Sequence, residues 1–156
     1  MLNVDLTDNL VGKYTGTLQI HHLDENGNTL KITHAPNTIT YDAREVLSYL
    51  LAGQTSANKF VKYLHVGTNP QVPSRADVGL ISDIPTAAVA LTFTFPAVDR
   101  VTFEGILPNV SAANGSILQE AGLFNEDGDM FARQVYGVID KELAIQLKYI
   151  WTIIFT

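Results

Sequence analysis

Every odd-numbered position from 145 to 155 carries an apolar side chain: Ile145, Leu147, Tyr149, Trp151, Ile153 and Phe155. A repeat of two marks a β-strand, because successive side chains on a strand point to opposite faces. Gln146, Lys148, Thr152 and Thr156 occupy the other face, with Ile150 and Ile154 among them. A strand apolar on parts of both faces needs a cover on each side, so this one belongs at the centre of a sheet or beneath a neighbour. Trp151 and Phe155 are expected to be buried, and Thr156 to lie at a sheet edge or an interface.

Partner strands are visible upstream. Leu18 and Ile20 alternate with Thr17, Gln19 and His21, and Leu30 and Ile32 repeat the pattern. Asn26-Gly27 lies between them, a dipeptide suited to the positive φ of a tight turn, so residues 16–34 read as a hairpin. Residues 60–66 alternate and stop at Gly67. Val89, Leu91, Phe93 and Phe95 face one way against Thr92 and Thr94; Pro96 stops that run, and Val101 and Phe103 resume it. This gives a second hairpin over 88–107. A third joins residues 117–125 to 130–136 through Glu126-Asp-Gly-Asp129. Residues 109–116 form a loop with Asn114-Gly115 as its turn. Residues 68–86 carry Pro70, Pro73 and Pro85 and read as a long surface loop, a length that usually signals function or an assembly contact.

One helix is expected, from Tyr41 to Gly53. Asp42 is placed to cap it, with Glu45 three residues on as in a capping box, and Tyr41 and Val46 stand at hydrophobic-staple positions. Val46, Leu47, Leu50 and Leu51 form the apolar face, and Gly53 suits the left-handed position after the last turn. Regularly spaced strands with one amphipathic helix define an all-β chain, an antiparallel β-sandwich whose helix lies across the mouth or flank of the core. Residues 1–15 read as an N-terminal segment or arm, and residues 16–156 as a single β-sandwich domain. Leu2, Val4, Leu6, Leu10 and Val11 recur near period two, as in an arm that adds to a neighbour's sheet edge or an extra strand of the same domain.

Composition narrows the function. The chain has 156 residues, a net charge of -6 and only 17% charged residues, with no Lys/Arg cluster. Phosphate-backbone binding needs a positive face, so nucleic acid is not an expected partner. The low charge points to surface covered by other subunits. Cysteine is absent, which excludes disulfides, thiolate metal sites and a cysteine nucleophile. The N-terminal residues lack the pattern of a signal peptide, and no apolar run is long enough for a membrane helix.

The search for chemistry is largely negative. His21 and His22 are adjacent on a strand and point apart, and His34 and His65 stand alone. Asp127-Gly-Asp129 is a fragment of a calcium loop flanked by strands instead of helices, so it reads as a turn. No GxxxxGK, GxGxxG or GxSxG motif occurs. No catalytic, cofactor-binding or metal-binding residue is assigned, and the chain is not expected to be an enzyme. Glu120 is the exception in kind. It sits beside Ala121-Gly-Leu-Phe124, where a carboxylate needs a partner. Arg133, across the predicted hairpin, and Lys141 are the candidates for an ion pair.

The order of elements resembles a family of bacteriophage tail-associated structural proteins, found among tail-fibre, collar and neck components. The similarity runs through Ala35-Pro-Asn-Thr-Ile-Thr40, the helix, Tyr63-Leu-His-Val-Gly-Thr68, Val101-Thr-Phe-Glu-Gly105 and Asn114-Gly115. It continues through Glu120-Ala-Gly-Leu-Phe-Asn125, residues 127–133, Ile139-Asp-Lys141 and Trp151-Thr-Ile-Ile-Phe155. The residues singled out as structural are Glu120, Gly122, Phe124, Arg133, Lys141, Trp151 and Phe155. The resemblance implies a virion component of a tail, neck or baseplate, made in the host cytoplasm. It would carry no catalytic residue or cofactor, and would assemble as a homo-oligomer, trimer or hexamer, with other tail or neck proteins. The alternative is a carbohydrate-binding adhesin module of a tail fibre, binding host surface glycans through tyrosines such as Tyr14, Tyr41, Tyr49, Tyr63 and Tyr136.

Overall fold

The computed structural model describes residues 14–53 and 58–156. Ten strands, one α-helix and one 3₁₀ turn follow in the order β1 (Tyr14–Leu23), β2 (Thr29–Pro36), β3 (Thr38–Ile39), α1 (Asp42–Leu51), β4 (Tyr63–Gly67), a 3₁₀ turn (Pro85–Ala87), β5 (Val89–Ala90), β6 (Thr92–Ala97), β7 (Arg100–Leu107), β8 (Ile117–Phe124), β9 (Met130–Asp140) and β10 (Gln146–Phe155). They form two antiparallel five-stranded sheets, ordered β2-β1-β10-β7-β6 and β3-β9-β8-β4-β5. The chain is an all-β sandwich with one helix, as its patterning dictates.

The run at 145–155 lies where its two-sided character requires, as the central strand β10 between β1 and β7. Leu147, Tyr149, Trp151 and Ile153 point inward and are buried against Leu64, Val66, Ala121 and Leu123 of the second sheet. Phe155 is not buried. It is 38% exposed and packs edge-on against Tyr14, its partner across β1, because the sandwich opens at that end. Thr156 is exposed.

The three expected hairpins exist, and the turn glycines Gly27, Gly115 and Gly128 all take positive φ. The second hairpin differs from its sequence reading. Val89–Ala90 pairs with β4 in one sheet, whereas Thr92–Ala97 pairs with β7 in the other, so the chain changes sheets at Leu91. Pro96 does not end the run. It stays inside β6, an edge strand, where the missing N–H leaves no ladder bond broken. Phe93 and Phe95 are consequently exposed.

The helix is shorter than expected and is not capped by Asp42. Tyr41 holds the cap position with no side-chain cap bond, and its N–H instead donates to Arg75 O at 2.8 Å. Ala43 and Val46 are buried, Leu47 half-buried and Leu50 at the rim, while Leu51 points into solvent. The apolar stripe therefore starts about one turn earlier than the sequence suggests, at Ala43, and leaves out Leu51, and Tyr41, at the cap and exposed, forms no staple. Gly53 takes the left-handed conformation, with φ of 72°. Residues 1–13 of the expected arm lie outside the described residues, and Tyr14 and Thr15 belong to β1, not to an arm.

Trp151 is 1% exposed at the centre of β10. Trp151→Ala should lower unfolding free energy by roughly 3–5 kcal/mol, measured by denaturant titration. Deleting residues 150–156 removes the partner of half of β1 and β7 and should abolish folding; a soluble truncation with a cooperative melt would overturn this.

Candidate functional site

Register brings Glu120 and Arg133 together. Glu120 on β8 pairs with Gly67 of β4 and Val135 of β9, and Arg133 on β9 pairs with Gly122 of β8. Both side chains leave the outer face of the second sheet, away from the sandwich core. Both are fully buried, because residues 68–84 fold over that face.

The Glu120 carboxylate accepts from five N–H groups. Arg133 Nε and Nη2 reach its Oε2 at 3.0 and 2.9 Å, and Ile81 N reaches the same oxygen at 3.1 Å. Ser82 N and Asn69 N reach Oε1 at 2.7 and 3.3 Å. Arg133 continues outward, with Nη1 on Asp77 Oδ2 at 2.9 Å and Nη2 on Gln71 O at 3.1 Å. Asp77 in turn accepts from Ser74 N at 2.8 Å. Loop backbone thus supplies the donors and acceptors that a buried pair needs beyond each other. Carboxylate and guanidinium are both fully engaged in hydrogen bonds, and together they tie the loop to the sheet.

Two glycines make room for it. A Cβ on Gly67 would stand 2.5 Å from Ser82 O and 2.6 Å from Glu120 Oε1. A Cβ on Gly122 would stand 2.7 Å from the Phe124 ring. Phe124 also stacks on His65 at 4.4 Å between centroids, and His65 Nδ1 meets Asp83 Oδ2 at 3.0 Å, closing the base of the loop. Among the described residues no serine or threonine hydroxyl bonds to this His65–Asp83 pair.

Lys141 is not a partner of Glu120. It is buried elsewhere, donating to Asn114 Oδ1, Glu142 O and Asn109 O at 2.7, 2.9 and 3.3 Å. Burial pushes its pKa below the ordinary lysine value. Its work is to tie the 109–116 loop to the end of β9. Asn109 and Asn114 were not singled out from sequence; only the Asn114-Gly115 turn signal marked the place. Tyr136 and Tyr149 form a second buried pair, with hydroxyls 3.0 Å apart and Tyr136 donating to Glu120 O at 3.1 Å. Burial raises the pKa of both phenols. Tyr136 therefore belongs to the core and is unavailable to a glycan.

The remaining histidines are local. His21 bonds Gln19 and His22 bonds Thr33, on opposite faces of β1. Burial, with a smaller contribution from Lys31, lowers the His22 pKa. Among the described residues no three His, Asp or Glu side chains gather as a metal-holding group, and no helix is long and apolar enough to cross a membrane.

A second feature lies at the open end of the sandwich. An apolar groove of about 430 Å³ runs between α1 and the β6–β7 hairpin. Val46, Leu47 and Leu50 form one wall, Phe93 and Phe95 the other, and Phe155 stands at one end. Arg100 is the one charged lining residue among those described, and it is held by Asp99 at 2.8 and 3.1 Å.

Compared with protein-family models, with curated proteins and with solved structures, the chain matches none.

Glu120→Gln should destabilise the fold by about 3–5 kcal/mol, since it removes the fully buried carboxylate facing Arg133 and leaves only the partly exposed Asp77 as its counter-charge. Backbone amides of residues 69–82 should lose protection in hydrogen exchange before the strands do. An unchanged exchange profile there would show that the loop is held by something else.

The buried phenols give a pH signature. Their folded pKa values are raised above the ordinary value of 10.0, so their contribution to stability is complete below about pH 10 and is lost as pH climbs beyond it. In a phenolate absorbance titration of the six tyrosines, Tyr136 and Tyr149 should ionise only as the β-sheet signal collapses. Ionisation of all six in a folded chain would contradict the burial.

Proposed function

We propose that the chain is a non-catalytic structural component of a bacteriophage virion, in the tail, neck or collar, or baseplate and fibre attachment, and that it acts by oligomeric assembly. The resemblance of its sequence to tail-associated proteins is what supports this choice of particle. The observation that carries the mode of action is the loop at 68–84. It is locked to the sheet through Glu120, Arg133 and Asp77, yet it presents Val72 and Val78 outward, 79% and 74% exposed. A loop fixed from below with apolar side chains on top is a pre-organised contact surface, because little ordering entropy remains to be lost on association. The low charge of the chain favours the same reading. A closed ring about the particle axis, trimer first and hexamer second, fits a virion part.

The adhesin alternative finds no specific arrangement in its favour. Tyr136 is internal, and Tyr41, Tyr49 and Tyr63 carry the cations of Arg44, Lys59 and Lys62 over their rings.

The purified protein at micromolar concentration should sediment as a homo-oligomer. The double variant Val72→Asp, Val78→Asp should keep the melting temperature of the subunit but sediment as a smaller species and fail to enter particles. A wild-type chain that is strictly monomeric, together with a variant that enters particles normally, would sink the proposal.

A further inference from the structure

An asparagine followed by glycine is chemically exposed, because no side chain on the next residue shields the peptide nitrogen from the carboxamide. The pair occurs twice in the chain, at Asn26-Gly27 and at Asn114-Gly115. The fold places the two in opposite surroundings. We infer that Asn26 is a site of spontaneous covalent modification, converted to aspartate and isoaspartate, and that Lys141 and its loop protect Asn114 from the same reaction.

The turn between β1 and β2 is closed by Gly27 N on Asp24 O at 3.0 Å, with Gly27 at a φ of 82°. The Asp24 carboxylate clasps it, accepting from Asn26 N and Asn28 N at 2.8 Å each and from Asn28 Nδ2 at 2.9 Å. These bonds hold the main chain and the Asn28 side chain. The Asn26 carboxamide makes no hydrogen bond among the described residues, and both Asn26 and Gly27 are exposed. At the second pair every reacting group is held. Asn114 Oδ1 accepts from the buried Lys141 Nζ at 2.7 Å, and Asn114 Nδ2 donates to Asn109 O at 2.7 Å. Gly115 N donates to Lys141 O at 2.8 Å.

The reaction needs only water. Gly27 N loses its proton and bonds to Asn26 Cγ; the Cγ–Nδ2 bond breaks and the side-chain nitrogen leaves as ammonia. Water then opens the five-membered imide. Breaking the new bond to Cγ gives aspartate, and breaking the original peptide bond gives isoaspartate, whose main chain runs through Cβ and Cγ. To start, Gly27 N must leave Asp24 O, a single bond at an exposed hairpin tip. Asn114 must shed three bonds, two of them to one buried lysine. Exposed turns open at little cost, whereas buried contacts open only with larger parts of the fold.

The two products differ in their effect. Aspartate keeps the chain length and the clasp. Isoaspartate adds one carbon to the main chain between the groups that Asp24 holds, so the turn no longer closes in register. β2 is an edge strand paired to β1 alone, and Leu23–Thr29 is the pair next to the turn. That end of the strand should loosen while β10 and the core stay intact. This inference is independent of any particle the protein joins.

The full-length protein is incubated at mildly alkaline pH, then digested and mapped by mass spectrometry, with isoaspartate tagged by an isoaspartyl methyltransferase. Asn26 should convert faster than Asn114 by about tenfold or more while the chain is folded, and the two should converge in denaturant. Isoaspartate should exceed aspartate at position 26. An Asn26 that keeps its amide, or equal rates at the two sites in the folded chain, would overturn the inference. Aspartate without isoaspartate would do so too, since it denotes direct hydrolysis without the imide. Hydrogen exchange gives the second readout: the isoaspartate form should lose protection at residues 29–32, and Asn26→Asp should not. Equal protection in both would overturn the role given to the Asp24 clasp.

Discussion

The outer face of the second sheet rests on the pair between Glu120 and Arg133. Two charges without solvent are tolerated only when nearly all of their hydrogen-bonding capacity is used. One strand pair could not supply that many partners. The chain supplies them by folding residues 68–84 over the sheet and turning three amides and a carbonyl inward. Once the loop is there, the face beneath it is dry, and that is why Gly122, Phe124 and Met130 can sit on the outside of a sandwich and still be buried. Gly67 follows from the same cause, since a side chain would strike both the carboxylate and the returning loop. The helix is drawn in as well, because Arg75 of the loop accepts the N–H of Tyr41 at its start.

Much of this fold was legible in the residues because it is written locally. Period-two alternation, Asn-Gly and Asp-Gly turns and a glycine after the last helical turn are short-range signals, and each reports a backbone conformation directly. Glu120–Arg133 was legible for a related reason: a hairpin fixes who faces whom, and an acid in an apolar run must be answered across it. The loop's part in that pair was not legible. Asn69, Ile81 and Ser82 contribute backbone amides, which every residue has, so their side chains carry no mark of the role. Lys141, the other candidate beside Arg133, has different partners, because a buried cation can be satisfied by carbonyls as well as by carboxylates, and sequence displays only the latter.

The other departures share a physical source, the difference between an interior and an edge. Phe93, Phe95 and Phe155 have the hydrophobicity of core residues, but hydrophobicity states a preference and not a location. They lie where the sandwich gapes beside α1, lining the groove. Pro96 is forbidden in a central strand and harmless in an outer one, and its neighbours do not say which applies. Asp42 has the chemistry of a cap, but the loop carbonyl of Arg75 fixes the helix start instead.

The strand order has a consequence for the time course of folding. β1, the first strand described, finds its central partner only in β10, with Tyr14 against Phe155 and Leu23 against Gln146. Until β10 leaves the ribosome, β1 can pair with β2 alone, and the first sheet lacks its middle. The second sheet is different, since β8 and β9 meet through a short turn and can zip early. Pairings between strands far apart in sequence are the slow ones, because closing a long loop must precede the contacts that reward it. β10 is thus the strand that joins the β2–β1 and β7–β6 halves of the first sheet, a long-range closure of the kind that slows folding.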